Sequence, residues 1–213
     1  MNTDALIASL SDGLRPVWRG AVGTRLAAGI AAGILAATLL LSLTLGFRPD
    51  LWLAMQGPTF WMKWGYSISL STAAIYVCSH LARPEPSSLR SVWLLAAPVL
   101  VLAGVGISEL AHTPRGDWLA MWLGKTWMVC PWLVLALSAP IFVGLLWSFR
   151  KLAPTRLRAA GAAAGLSAGA FAATVYCLHC PELSAIFVLT WYSLGILLAA
   201  AIGALVGPRL LRW

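Results

Sequence analysis

Charge is what this sequence has least of. Only 10% of its 213 residues are Asp, Glu, Lys or Arg, where a soluble domain carries about a quarter. That scarcity excludes an ordinary water-soluble globule. Carboxylates are rarer still, seven against fifteen basic groups. No row of acidic groups exists for proton or ion coupling, which leaves a pump or secondary transporter without its usual residues. Neither HExxH nor a glycine-rich phosphate loop nor a Ser-His-Asp constellation occurs, so hydrolase and nucleotide chemistry lack their carriers. No convincing internal repeat suggests a two-fold transporter. The start, MNTDALIASLSDGLRPV, has Asp4 and Asp12 where a secretory signal would be basic, and no cleavable signal peptide is expected.

What the chain does have is apolar length. It is 60% hydrophobic with a mean hydropathy of +0.83. A bilayer-crossing helix needs roughly 20 mostly apolar residues, and six such runs appear, at about 24–46, 59–81, 91–112, 131–149, 157–178 and 184–206. Open-sheet strands are excluded, because lipid leaves unpaired backbone groups unsatisfied. The expected fold class is all-α: a polytopic inner-membrane bundle of six transmembrane helices. Two parts are expected, a cytoplasmic N-terminal amphipathic segment over 1–22 and the six-helix domain over 23–213.

The net charge of +8 speaks of topology rather than nucleic-acid binding. Eleven basic residues fall on one set of connections: Arg15, Arg19, Arg25, Arg83, Arg90, Arg150, Lys151, Arg156, Arg158, Arg209 and Arg212. Four fall on the other: Arg48, Lys63, Arg115 and Lys125. The positive-inside rule then puts both termini in the cytoplasm. Tryptophans mark both interfaces, with Trp52, Trp61, Trp64, Trp118, Trp122, Trp127, Trp132 and Trp191 on the outer side. Lys63 is expected to snorkel from the outer end of its helix. Glycines four apart, at 161, 165 and 169, at 29 and 33, and at 203 and 207, permit close helix packing within the bundle or a homo-oligomer.

Within 1–22, Ile7, Leu10, Leu14 and Val17 share a helical face. That face suits either the inner membrane surface or a cytoplasmic partner.

Cysteine carries the candidate chemistry. Cys78 lies near the inner end of the second helix and reads as a packing residue. Cys130-Pro131 and Cys180-Pro181 would each place a thiol at a helix N-terminus, since proline favours the first helical position. There the dipole favours the thiolate. Cys177 ends the fifth helix, at the opposite pole. Cys130 and Cys180 therefore match better than the local pair in CLHC. They suit a disulfide in an oxidising periplasm or a soft metal, with His179, His112 or Glu182 helping. A fixed disulfide or two unpaired thiols are the plainer alternatives. A membrane thiol-disulfide oxidoreductase using CLHC is the rival function, but it lacks a complete second cysteine pair and a quinone-site signature.

The MNTDALIASLSDGLRPV start, the six apolar runs, a cysteine opening the fourth, LHCPE before the sixth and the ending GPRLLRW together resemble the NrsF family. These are six-helix inner-membrane anti-sigma factors that pair with sigma factors of the extracytoplasmic-function group. The resemblance covers essentially the whole chain. It implies a transcription regulator and not an enzyme: a protein that sequesters its cognate sigma factor and releases it under stress. It also implies that Cys130 and Cys180 face outward and sense heavy metals or oxidants, with no resident cofactor and at most transient soft-metal binding. Cys78 and Cys177 stand outside that pattern, and Cys177 leaves open a local CLHC variant of the sensor in which it helps. Partner binding would fall to Ile7, Leu10, Leu14 and Val17, or to the neighbouring cytoplasmic turns, with no direct nucleic-acid contact.

Overall fold

The computed structural model describes residues 3–12, 20–81, 93–149 and 156–211. Every regular element among them is helical. They are α1 (Thr3–Ser11), α2 (Ala21–Thr44), α3 (Leu51–Ala54), α4 (Pro58–Leu81), α5 (Ala96–His112), α6 (Trp118–Leu123), α7 (Cys130–Phe149), α8 (Leu157–Tyr176), α9 (Ala185–Phe187) and α10 (Ser193–Leu210). A π-helical turn, Val188–Tyr192, joins α9 to α10.

Among the described residues, five helices are long and apolar enough to cross a membrane: Ala21–Thr44, Trp93–His112, Cys130–Phe149, Leu157–Tyr176 and Ala185–Leu210. The sequence leads one to expect six. The other, α4, has 24 residues but is diluted by Lys63, His80 and a series of hydroxyls. Those polar groups are unevenly placed. Lys63, Ser67 and Ser71 are buried, whereas Trp61, Ile68 and Tyr76 are exposed. The charged Lys63 is thus turned into the bundle, while the exposed Ser69 and Thr72 return their hydroxyls to carbonyls of their own helix.

The centre of the bundle is α8, which packs on α10, α4 and α7, while α2 packs on α7. Alanine and glycine make this possible: thirteen of the residues of α8 are buried, most of them Ala or Gly. A Cβ on Gly161 would collide with the backbone oxygen of Gly203, and one on Gly29 would collide with that of Gly144. The expected glycine faces are thus used inside one chain, where small residues let backbones touch. Ser148 adds a polar stitch to the same seam, donating through Oγ to the Arg25 carbonyl at 2.8 Å.

Before the bundle, α1 buries none of its residues. Leu6, Ile7 and Leu10 are all exposed on it. Leu14 and Val17, expected on the same face, lie outside the described residues.

Candidate functional site: a clamped strap between α8 and α9

All the ends of α2, α7, α8 and α9 that meet at one pole of the bundle surround a short non-helical strap, residues 177–184. It contains Cys177, His179, Cys180 and Glu182. Cys130 faces it from the first residue of α7. All three thiols are free and fully buried. They are gathered by two tyrosines. Tyr176, the last residue of α8, interacts with the thiols of Cys130 and Cys180. Tyr192 interacts with Cys177 and Cys180. The Tyr192 hydroxyl is buried and makes no hydrogen bond of good geometry, so thiols are what it has. It reaches them from the π turn, where one extra residue re-aims the side chains of a helix.

The expected pair, Cys130 and Cys180, is therefore brought to one place, with Tyr176 shared between them. Their settings differ from expectation in one respect. Cys130 does open α7, although its own N–H is already bonded to the Thr126 carbonyl at 2.9 Å. Cys180 does not open a helix. Ser184 is the N-cap of α9, its Oγ accepting from the Phe187 N–H at 3.4 Å, so Pro181 sits in the strap, ahead of the first helical residue Ala185 rather than at it. A serine that can accept from the third N–H ahead is a better start than proline, which only tolerates being first. The dipole argument for a thiolate thus applies to Cys130 alone.

The strap is held almost entirely through charged groups on its main chain. Lys63, from α4, does not snorkel. It is fully buried and donates to the Cys180 carbonyl at 3.1 Å and the Glu182 carbonyl at 2.6 Å. Arg48 adds its Nη1 to the same Cys180 carbonyl at 3.4 Å and its backbone N–H to the Leu178 carbonyl at 3.1 Å. The guanidinium is itself fixed by a two-point pair with Asp50, at 2.8 and 2.6 Å. That contact holds the Asp50 carboxyl below the usual carboxylate range. His179 donates from Nδ1 to the Gly46 carbonyl at 2.9 Å. The ring nitrogen must be the donor, since a carbonyl only accepts.

Two carboxylates complete the clamp. Glu182 Oε1 accepts from the backbone N–H of Lys125 at 2.7 Å, and from the N–H and hydroxyl of Thr126, each at 3.1 Å. This ties the strap to the segment leading into Cys130. Gly124 makes room for it: at φ +56° the position favours glycine, and a Cβ would stand 2.6 Å from Glu182 Oε2. Glu109 of α5 accepts from the Ala185 N–H at 2.8 Å and the Ser184 hydroxyl at 3.1 Å, so a carboxylate sits on the positive end of α9. Trp191 packs at a tilt against Trp122 and Trp127 beside this seam and donates from Nε1 to the Trp122 carbonyl at 2.8 Å.

The suggested helpers are thus occupied. His179 and Glu182 hold the strap, and His112 is exposed with Nδ1 bonded to its own helix at Ser108. Among the described residues no group of three or more His, Cys, Asp or Glu side chains is disposed to hold a metal ion. Cys78 lies apart, buried in α4 beside Ser167. Sequence reasoning missed Lys63, Arg48, Tyr176 and Tyr192, none of which belongs to a motif. The Ser184 cap and the capping role of Glu109 were open to inspection: PELSAIF offers a serine three residues before an amide that needs an acceptor.

The chain's relatives agree with the resemblance drawn from its motifs. The family model described as "Negative regulator of sigma F", NrsF, matches residues 10–213. A "Probable anti-sigma-F factor NrsF" from Azospira oryzae is 42% identical over 216 residues, covering 100% of both chains. An "Anti-sigma-F factor NrsF" from Caulobacter vibrioides is 39% identical over 212 residues, covering 99% of this chain and 97% of the relative. No solved structure matches. Matched from its tenth residue to its last and similar end to end to two such proteins, the chain belongs to the NrsF family of sigma-factor negative regulators.

Proposed function

We propose that this protein holds an extracytoplasmic-function sigma factor at the cytoplasmic face of the bacterial inner membrane, and releases it when Cys130 and Cys180 react at the periplasmic face. The observation that carries the proposal is end-to-end likeness to anti-sigma-F factors. The sigma factor docks on α1, whose Ile7 and Leu10 are exposed with no partner from the bundle, extended by Leu14 and Val17. All six long helices span the bilayer, α4 with its lysine turned into the bundle. The eleven-to-four split of basic residues puts the strap outside and α1 inside.

Two thiols from different segments meeting at one pole supply the sensor. An oxidant closes them to a disulfide, for which the Cα atoms must come within about 4.4–6.8 Å; a soft divalent metal displaces their two protons and bridges the sulfurs. Either product moves the strap relative to α7. Each charge-assisted hydrogen bond on the strap is worth about 1.5–3 kcal/mol, and allosteric coupling commonly needs about 1–3 kcal/mol. Loss of one clamp contact is therefore enough to bias a holding state against a releasing one, provided the signal favours the second. The oxidoreductase alternative fits less well, because a working CxxC pair must meet its substrate while Cys177 and Cys180 are fully buried.

The test is co-purification of the full-length protein with its candidate sigma factor, beside a form lacking residues 1–20. Capture by the first and not the second supports both the role and the docking site. Capture by neither sinks the proposal. Retained stress release in a protein with Ser at both 130 and 180 would leave the anti-sigma role standing and remove the sensor.

A further inference from the structure

Lys63 is the most expensive residue in the bundle. Its ammonium is fully buried, and no carboxylate of the described residues is in ion-pair contact with it: Asp50, held by Arg48, acts on it only at longer range. Burying an ammonium costs several kcal/mol even after relaxation, and an apolar side chain of similar length would fill the space without that cost. Two carbonyls compensate the charge, and both belong to the strap: those of Cys180 and Glu182. One turn further along α4, Ser67 Oγ lies 4.0 Å from Cys177 Sγ. A single face of α4 thus meets the strap at three points, on either side of the thiol that must reach Cys130.

We propose that Lys63 is the positioning residue of the thiol site, fixing the strap in the register that presents Cys180 to Cys130 across Tyr176 rather than to Cys177. Cys180 has two candidate partners, one three residues away and one fifty. Proximity along the chain favours the nearer, so pairing with the farther needs the strap's main chain to be held. A buried cation does that with two strong acceptors at once and without using either sulfur. The inference rests on the proposal that Cys130 and Cys180 are the working pair.

The experiment oxidises the full-length protein in membranes with diamide, whose N=N group accepts the two electrons and two protons released as each S–S bond forms. Mass spectrometry then gives the ratio of Cys130–Cys180 to Cys177–Cys180 disulfide. This ratio is insensitive to how easily the reagent enters. Lys63→Met, which removes both hydrogen bonds, is expected to lower it by at least about tenfold, the low end of what one charge-assisted hydrogen bond is worth, and Lys63→Arg to restore most of it. An unchanged ratio in Lys63→Met overturns the inference. Maleimide labelling of Cys78, buried far from the strap, reports whether a variant is folded. If Lys63→Met fails that check, Lys63→Gln, which keeps an uncharged N–H donor group, is expected to give an intermediate ratio. Unfolding of both neutral variants beside an Arg variant of wild-type ratio assigns Lys63 to general stability and overturns the inference. Absence of Cys130–Cys180 product in the wild type instead removes the working pair itself, which separates the two failures.

Discussion

Two regions of this molecule are packed tightly by opposite means. Along α8, α2, α7 and α10, backbones touch because glycine and alanine leave nothing in between, and few polar groups are needed. At the strap the chain leaves helical geometry, exposes its carbonyls and amides, and needs long charged side chains from α4, the α2–α3 connection and α5 to satisfy them. The first region tolerates no added atom. The second tolerates atoms but not the loss of a charge. Rigidity in the bundle is steric, and at the strap it is electrostatic, which is the kind of contact that a change in charge or redox state at a sulfur can reach.

The steric seam predicts the largest effect. Gly161→Leu should cost about 3 kcal/mol, because its first side-chain atom already meets the Gly203 backbone. The check is loss of a monodisperse folded peak and a lower SDS-unfolding midpoint. Gly104→Ala is the control: nothing stands within 4 Å of its added carbon, and helix propensity predicts a gain of about 0.5–1 kcal/mol. A comparable loss in both would break the contrast.

At the strap, Glu182→Ala removes the acceptor of three donors and should cost about 2 kcal/mol. Faster maleimide labelling of Cys130 than of Cys78 would show that the damage is local. Glu109→Gln keeps an acceptor on the start of α9 but removes the charge, a loss of about 0.5–1 kcal/mol. Hydrogen exchange should quicken at residues 185–187 and not in α8.

The smallest effect concerns Asp50. Its carboxyl titrates below the ordinary range because Arg48 binds the charged form. The pair's stabilisation is therefore present above the unfolded value of about 3.9 and is lost as pH falls through the lower folded value. A slight drop in unfolding midpoint below about pH 4, absent in Asp50→Asn, is the expected result. A drop of equal size in that variant would assign the acid sensitivity to another group.

The helices were legible because apolar runs of bilayer length have few other uses, and the seam was legible because glycine spacing states where backbones meet. Even so, averaging hid that the one lysine of α4 is turned into the bundle. The sequence singles out Cys130 and Cys180 for a reason that holds at only one of them: Cys130 opens a helix, while Cys180 lies in a strap that Ser184 cuts off from α9. The clamp was not legible. Lys63 read as a snorkelling residue because the sequence records its distance from a helix end and not the two carbonyls, more than a hundred positions downstream, that fill the space above it.

Those contacts also have a consequence for inheritance. Lys63 and His179 address main-chain oxygens, Arg48 reaches the strap the same way, and two of the three donors to Glu182 are peptide nitrogens. A bond to the main chain leaves no record in the identity of the residue that supplies it. The hold itself uses no side-chain atom of Leu178, Pro181 or Leu183, and Lys63 meets the strap through no side chain that could change in step with it. Methods that find contacts through paired substitutions will pass over this clamp, however strictly each of its charged members is kept.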